Sequence, residues 1–288
     1  MSSFKRPPCT PSENNRVMDS LYKGRLKSIL PLVSAKWLTD LGGTFLESSL
    51  SKSMIPRRIK QWGLDMSEYP QKEYKSFNDF FTRKILPQKR TGVDSSPADA
   101  LISPCDSRLT VYQISEGLTF DIKGGHYSTI SLLKNKPLAQ EFAGGLCLVF
   151  RLSVDDYHRY CYFDDGIKGE NFRINGRYYT VQPLALPSVD FFKENTREYT
   201  VMETLHFGKA VQAEIGATFV GRINNLHGRH TFKRGEEKGM FEFGGSTIVL
   251  LLKKGSAAID GDILENSALG METKVLMGEA VGQALSIR

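Results

Sequence analysis

The chain has 288 residues, of which 40% are hydrophobic and 24% are charged, a composition typical of soluble globular proteins. Its apolar run Ile248–Leu252 is far shorter than the roughly 20 residues that a membrane-spanning helix needs. No apolar stretch follows the first residues, so we expect no secretory signal, and the absence of a Cys-x-x-Cys pair argues against zinc and thioredoxin-like chemistry.

The net charge of +6 is unevenly distributed along the chain. Residues 1–90 contain 17 Lys and Arg against 8 Asp and Glu, so this third is strongly basic and the remainder is slightly acidic. A basic surface of this kind can face anionic lipid or nucleic acid, or it can be a solvated face. Aromatic and basic residues are not interleaved on a recognisable platform, so we expect no nucleic-acid partner.

The first 15 residues are rich in Pro, Ser and Asn, and we expect them to be disordered. Hydrophobic spacing then predicts helices over Met18–Leu50, Lys52–Trp62 and Ser76–Arg83. The first helix is amphipathic and basic, which suits a membrane interface as well as packing on the protein's own core. In the third helix, Ser76 is followed three residues later by Asp79, which approximates a capping box.

After Arg90 the sequence changes to short alternating segments separated by Gly, Asn and Asp. This spacing predicts strands over Leu109–Ile114, Leu146–Leu152, Tyr178–Val181, Tyr199–Leu205, Ala217–Ile223, Gly239–Phe243 and Thr247–Leu252. We therefore predict an α+β protein. A helical, basic region of residues 1–90 would lie on a mostly antiparallel, β-rich sandwich or barrel of residues 91–288.

A Gly-Gly-Ser-Thr turn, from Gly244 to Thr247, stands between two apolar strand-like segments. Such a turn is usually a hairpin connection. Because glycine lacks Cβ, the carbonyl of Gly245 is also sterically open to attack by the hydroxyl of Ser246. Cleavage would then leave an electrophilic pyruvoyl group at the new N-terminus, where it could react with an amine.

Histidines and one turn carboxylate are the other candidates for chemistry. His158 follows an apolar strand and stands beside acidic residues, which suits a general base or a structural histidine. Asp106, in a Pro-Cys-Asp-Ser turn, could orient a base as in a Ser-His-Asp triad, or could serve the turn alone. His227 and His230 suggest a metal pair only weakly, because no acidic or cysteine ligands cluster near them in the sequence, and we expect no metal.

Five segments, in the same order along the chain, resemble motifs of the phosphatidylserine decarboxylase family. They are Phe77–Arg83, the turn Ser103–Asp106, Lys123–Ser128 followed by Leu132 and Leu133, Asp156–Arg159, and Phe243–Thr247. Their joint occurrence is far more specific than any one of them alone.

The resemblance implies a pyruvoyl-dependent enzyme that cuts itself between Gly245 and Ser246. The large chain 1–245 and the small chain 246–288 would remain associated. The pyruvoyl cofactor would form from Ser246, and neither pyridoxal phosphate nor a metal would be needed.

The resemblance also implies roles for two of the candidates. Asp106 would belong to the processing triad, and His158 would assist decarboxylation as a proton donor or by orienting the substrate. Asp99 is a rival for the acidic role. We prefer Asp106, because a strand-like segment follows it directly, as in the family pattern.

The sequence departs from the family pattern at Cys161. Many members have a second histidine at this position, three residues after the first, and it is usually given the base role in processing. A thiol of ordinary pKa is a poorer base than imidazole near neutral pH. His158 could serve both steps, His227 or His230 could reach the cleavage loop, or processing could be slow or lost.

The implied reaction is decarboxylation of phosphatidylserine to phosphatidylethanolamine and CO2, through a Schiff base between the substrate amine and the pyruvoyl carbonyl. A same-fold decarboxylase of a soluble amino acid and an unprocessed β domain that binds lipid are the alternatives. The basic region 1–90 fits docking on an anionic phospholipid membrane. We expect a cytoplasmic protein, peripheral to the inner face of the cell membrane, with a homodimer as one alternative for its oligomeric state.

Overall fold

The computed structural model describes residues 5–9, 36–122, 125–177, 179, 191–216, 222–243 and 246–285. Gly245 and about half of the predicted helix Met18–Leu50 lie outside these residues. Most of the predicted strands Tyr178–Val181 and Ala217–Ile223 also lie outside them.

Short helices precede and flank the β-rich body. They are α1 Lys36–Glu47, α2 Ile55–Trp62, α3 Phe77–Phe81, α4 Gly92–Ser95, α5 Thr129–Leu133, α6 Lys136–Gln140, α7 Phe191–Glu194 and α8 Gly261–Ala268, with 3₁₀ turns at Ser49–Met54, Met66–Glu68 and Pro87–Lys89. Among the residues described, no helix has the length and apolar character needed to cross a membrane. The predicted cap of α3 is confirmed, because the Ser76 side chain accepts a hydrogen bond from the Asp79 N–H at 3.1 Å.

The strands are short except at the centre of the fold. They are β1 Ala100–Ile102, β2 Ser107–Gln113, β3 Thr119–Ile122, β4 Gly125–Ser128, β5 Leu146–Leu152, β6 Arg159–Cys161, β7 Gly166–Ile174, β8 Arg197–Thr204, β9 Gly208–Gly216, β10 Ile223–Asn225, β11 His230–Phe232, β12 Glu237–Phe241, β13 Ser246–Leu252, β14 Ala257–Ile259, β15 Thr273–Val275 and β16 Ala280–Ala284. The longest apolar segments of the sequence, β5 and β13, begin and end within one residue of their predicted bounds.

One large antiparallel sheet organises the molecule, with the spatial order β11-β7-β8-β9-β13-β5-β2-β15. The predicted α+β class is confirmed, but the barrel alternative is wrong because this sheet is not closed. Within the described part of the chain, β7 is the only strand that pairs with the edge strand β11, and β2 is the only strand that pairs with the edge strand β15. Each edge strand has only three residues, too few to build a ladder that would close a barrel.

The two faces of the large sheet are covered by different elements. The three-stranded sheets β1-β16-β14 and β10-β12-β6 cover one face and share a buried core with it. Helices α5 and α6 and the β3–β4 hairpin cover the other face. The large sheet is therefore buried on both sides, which explains why its central strands are continuous apolar runs rather than alternating ones.

Strand β13 lies inside the large sheet, and every one of its residues is buried. Its side chains alternate between the two cores, with Val249 and Leu251 on one side and Ile248 and Leu250 on the other. The hairpin interpretation of the Gly-Gly-Ser-Thr turn is wrong, because β12 pairs with β6 and β10 whereas β13 pairs with β5 and β9.

The expectation of a disordered N-terminus is wrong for residues 5–9. Pro8 forms an antiparallel bridge with Thr273. The buried guanidinium of Arg6 pairs with three carboxylates, which are those of Asp260, Asp262 at 2.8 Å and Glu279 at 3.2 Å. These charge-assisted hydrogen bonds offset the entropy lost on ordering a polar, proline-rich segment.

We predict that Arg6→Ala lowers the free energy of unfolding by about 2 kcal/mol, because it leaves the buried carboxylate of Asp262 and two partly exposed carboxylates without their cation. Urea unfolding at one fixed protein concentration measures this change. Lys5→Ala is the matched control, since its ion pair with Glu265 is exposed and its loss should leave stability nearly unchanged. Equal effects of the two substitutions would contradict the anchoring role of Arg6.

Candidate active site

Ser246 is the first residue of β13 and therefore lies at one end of the central strands of the large sheet. It faces Leu152 at the end of β5 and Gly216 at the end of β9. Its hydroxyl is buried and has no hydrogen-bond partner among the residues that the structure describes. Burying an unpaired hydroxyl costs about 1–3 kcal/mol, and a functional role is one explanation for such a group. Gly245, on the other side of the predicted cleavage site, lies outside the described residues.

His158 lies between β5 and β6, on the same face of the sheet as the side chain of Ser246. Alternation along β13 puts Ser246 on the face of Ile248, and β6 covers that face. The His158 ring is buried, and its Nδ1 lies 2.9 Å from the carbonyl oxygen of Asp156. Because a carbonyl can only accept, Nδ1 carries the hydrogen and Nε2 of the neutral ring carries the lone pair that a base requires.

An aromatic cluster connects His158 to the segment that leads into Ser246. The Phe81 ring of α3 lies 4.2 Å from the His158 ring and 5.0 Å from the Phe243 ring. Phe243 also packs on Phe77, with ring centroids 5.1 Å apart. The structure thus connects His158, through Phe81, to Phe243, which stands three residues before Ser246 in the sequence.

Asp106 directly precedes β2, at the same end of the central strands as Ser246. The β2–β5 register places it level with Ser153, two strands from β13, or about 10 Å across the sheet. Its carboxylate accepts hydrogen bonds from the Arg90 guanidinium at 2.7 Å and from the Met277 N–H at 2.8 Å. Within the described chain no hydrogen bond joins it to His158, so a direct Asp–His pair is not formed. The rival Asp99 is exposed.

Arg90 is a site residue that sequence reasoning missed. Arg90 and Asp106 are 16 residues apart in the sequence, so no helix or strand periodicity pairs them. Arg90 is also one of many basic residues in this part of the sequence. No local signal therefore distinguishes it from a solvated cation.

Asp156 fixes the backbone that holds His158. Its buried carboxylate accepts from the Ser153 N–H at 2.7 Å and pairs with Arg108 at 3.1 Å and with Lys274. Burial nevertheless raises the pKa of Asp156 above its ordinary value. The carboxylate is a positioning group, because it holds the turn whose carbonyl orients the imidazole.

Cys161 is the last residue of β6, and its backbone N–H donates to the Pro104 carbonyl at 2.9 Å. Burial raises the pKa of its thiol to about 12. A thiol in this state stays protonated at neutral pH and is a poor base. The structure therefore gives Cys161 no feature that would let it replace a histidine in proton abstraction.

A cleft of about 460 Å³ opens beside Cys161 and Met277. Its charged lining is mainly cationic, with Lys84, Arg90, Arg159 and Arg234 against Asp94 and Glu237. This lining suits an anionic ligand.

His227 and His230 lie at the other end of the β6–β12 ladder from His158. The Phe241 N–H donates to the His158 carbonyl, whereas the Tyr162 N–H donates to the carbonyl of Glu236, which contacts His230. His158 and Tyr162 mark the two ends of this ladder. They are four residues apart in extended chain, so about 13 Å separates the two ends. The structure therefore does not bring these two histidines to Ser246, although the role proposed for them in processing stays a prediction.

Comparison with known proteins identifies the family of the chain. A family model described as phosphatidylserine decarboxylase matches residues 77–283. The chain belongs to the phosphatidylserine decarboxylase family. The match covers α3, Asp106, His158 and Ser246, so every predicted catalytic residue lies within the family region.

Curated members of the phosphatidylserine decarboxylase family are similar over most of their length. Phosphatidylserine decarboxylase proenzyme 2 of Clostridium acetobutylicum is 47% identical over 251 residues, which cover 87% of this chain and 85% of that protein. The proenzyme of Clostridium perfringens is 43% identical over 89% of this chain and 88% of its own. That of Ruminiclostridium cellulolyticum is 40% identical over 95% and 93%.

We predict that Cys9 is the first cysteine of this decarboxylase-family chain to react with iodoacetamide. Cys9 is partly exposed, whereas Cys105, Cys147 and Cys161 are buried. With its pKa near 12, Cys161 would be about one part in ten thousand thiolate at about pH 8. Peptide mass spectrometry of the alkylated native protein measures the order. Labelling of Cys161 as fast as Cys9 would show a reactive thiol and reopen a catalytic role for it.

Proposed function

We propose that the protein decarboxylates phosphatidylserine to phosphatidylethanolamine, using a pyruvoyl group made from its own Ser246. The placement of Ser246 carries the proposal: a buried hydroxyl without a partner among the described residues begins β13, directly after two glycines. Membership of the family supports the substrate, since the relatives are named phosphatidylserine decarboxylase proenzymes.

In the proposed processing step, the Ser246 Oγ attacks the carbonyl carbon of Gly245. The peptide bond is exchanged for an ester, and the nitrogen of Ser246 becomes a free amine. Elimination then removes the Cα proton of residue 246, breaks its Cβ–Oγ bond and releases the Gly245 carboxylate, which leaves an enamine. The enamine takes up a proton at Cβ to become an imine, and hydrolysis of the imine by one water releases ammonia and leaves the carbonyl.

His158 is the base that we assign to this step. The hydrogen on its Nδ1 is directed to the Asp156 carbonyl, so its Nε2 is the nitrogen that can take the proton of the Ser246 hydroxyl. The Phe81 ring packs on both the His158 ring and the Phe243 ring, so the surroundings of His158 are apolar. A low dielectric there would strengthen the charge interactions of the developing oxyanion.

Ser246 also fits as the residue that bears the pyruvoyl group, because β5 and β9 hold its backbone from both sides. When present, the group supplies an electrophilic carbonyl that takes the substrate amine and accepts the electron pair left as CO2 departs. His158 would hold the proton that is returned to the carbon, and the cationic cleft beside Cys161 would bind the substrate phosphate.

We further propose that the helical region docks on an anionic membrane. Leu50, with 75% of its surface exposed, and Phe45 project from the end of α1 and the following turn. Arg57 and Lys60 of α2 are exposed nearby in the chain and would attract anionic headgroups. On their inner side these helices share a core with Phe77 and Phe243, so the membrane contact would lie close to the processing segment.

We predict that the wild-type chain separates into fragments 1–245 and 246–288 under denaturing conditions, with the small fragment blocked to N-terminal sequencing. Ser246→Ala should give one chain of 32.3 kDa without decarboxylase activity, because the attacking hydroxyl is missing. Intact mass and CO2 release from phosphatidylserine vesicles measure the two properties. Ser256→Ala, another buried serine of the small fragment, is the control and should be cut normally.

The possible outcomes separate the proposal from its alternatives. Cutting or activity in Ser246→Ala would overturn the pyruvoyl assignment. A cut wild-type protein that acts only on a soluble amino acid would replace the substrate. An uncut wild-type chain that binds anionic vesicles would favour a lipid-binding β domain.

We predict that Leu50→Ser lowers binding to phosphatidylserine-containing vesicles about 10-fold, since it removes an apolar side chain from the proposed contact. Vesicle flotation measures the bound fraction. Leu205→Ser is the matched control, because Leu205 is 68% exposed and follows β8, outside the helical region. Equal losses for the two variants would contradict docking through the helical region.

A further inference from the structure

Three side chains meet at the turns that flank β11. His227 lies in the connection before β11, His230 is the first residue of β11, and Glu236 lies just before β12. The His230 Nε2 is 2.7 Å from the Glu236 Oε1, and the His227 Nε2 is 3.9 Å from the same oxygen. The ligand atoms of the three side chains all lie within 4.8 Å of one another.

We propose that His227, His230 and Glu236 bind a divalent transition-metal ion of the zinc class. Two imidazoles and one carboxylate are a ligand set that zinc uses when a fourth position stays open to water. Bonds of about 2.1 Å in a tetrahedral site place ligand atoms about 3.4 Å apart, between the two Nε2–Oε1 distances found here. The two imidazole rings are stacked 3.9 Å apart, so both must turn about their side-chain bonds to direct their lone pairs at one ion together with the carboxylate.

The ligands are held in place by neighbouring groups. The Nδ1 of His227 lies 3.1 Å from the Tyr162 hydroxyl, and the Tyr162 ring stacks on Phe232 at 4.1 Å. The second carboxylate oxygen of Glu236 accepts the Lys233 N–H at 2.9 Å. Partners of this kind orient metal ligands and fix the histidine tautomer so that Nε2 faces the ion.

The surroundings of His227 also leave room for a cation beside its ring. The ammonium of Lys168 donates to the His227 backbone carbonyl at 2.7 Å and to Asn171 at 2.6 Å. It is thus engaged by these oxygens. The ligand side chains are partly exposed, so an ion can enter from solvent.

The site lies apart from the proposed catalytic residues and adds a function that decarboxylation does not require. An ion here would join the β10–β11 connection to the β11–β12 turn. Both turns flank β11, an edge strand of three residues with little ladder of its own. The ion would therefore stabilise this edge of the large sheet.

The test is titration of the purified, chelator-treated full-length protein with Co2+, followed by displacement with Zn2+. We expect one equivalent per chain, with the visible absorption of a nitrogen- and oxygen-ligated ion. His230→Ala and Glu236→Gln should each weaken binding about 10-fold or more. Glu236→Gln keeps the size of the side chain and an acceptor for Lys233, and circular dichroism confirms that each variant is folded.

Two control variants make the result specific. Arg229→Ala changes the same connection at a side chain that is 80% exposed and not a ligand, so it should bind as the wild type does. Cys9→Ser removes the partly exposed thiol and should also bind normally. No stoichiometric uptake by the wild type, unchanged affinity in both ligand variants, or loss of binding in Cys9→Ser would each overturn the proposal.

Discussion

Strand β13 is paired along its whole length on both sides, and the rest of the fold is arranged around it. From Ser246 to Leu252 it forms ladders with β5 and β9, and its side chains enter the cores on both faces of the sheet. A strand held in this way cannot slip by one residue, because a slip would exchange the side chains of the two cores. The position of Ser246 at the end of this central strand is therefore fixed by packing that extends well beyond the site.

The same constraint explains how a cut chain would stay together. Cleavage before Ser246, with loss of its nitrogen, would leave the ladder hydrogen bonds of residues 247–252 in place. The small fragment would also contribute α8 and the strands β14, β15 and β16. Arg6 of the large fragment would still form ion pairs with carboxylates of the small fragment. The two fragments would then behave as one folded unit, since their interface is the interior of the protein.

The main features that sequence reasoning predicted are those with strong local signals. Apolar runs identified β5 and β13, and Ser76 identified the start of α3. Strand β9 was missed because its buried residues include the polar Gln212 and Glu214. Glu214 can be buried there because it forms an ion pair with Lys238, which belongs to another sheet. A local pattern cannot reveal a partner that only the tertiary fold supplies.

The same limit applies to the candidate sites. The motifs predicted Ser246, His158 and Asp106 as site residues, and the structure places Ser246 and Asp106 at the same end of the central strands. The partner of Asp106 is Arg90 rather than a histidine, and Glu236 joins His227 and His230 across a turn and a strand. Each pairing depends on which strands become neighbours, which their spacing in the chain does not encode. The ordered residues 5–9 were missed for the same reason, because Arg6 finds its carboxylates at the opposite end of the sequence.

The position of β13 also has a consequence for synthesis of the protein on the ribosome. Its two neighbours are translated earlier, since β5 ends 94 residues and β9 ends 30 residues before Ser246. One edge of each stays open until residues 246–252 emerge, a state in which chaperones are commonly needed. Because the sheet closes around Ser246 only at the end, self-cleavage would be tied to the completion of the chain, and a stalled or truncated product would remain uncut.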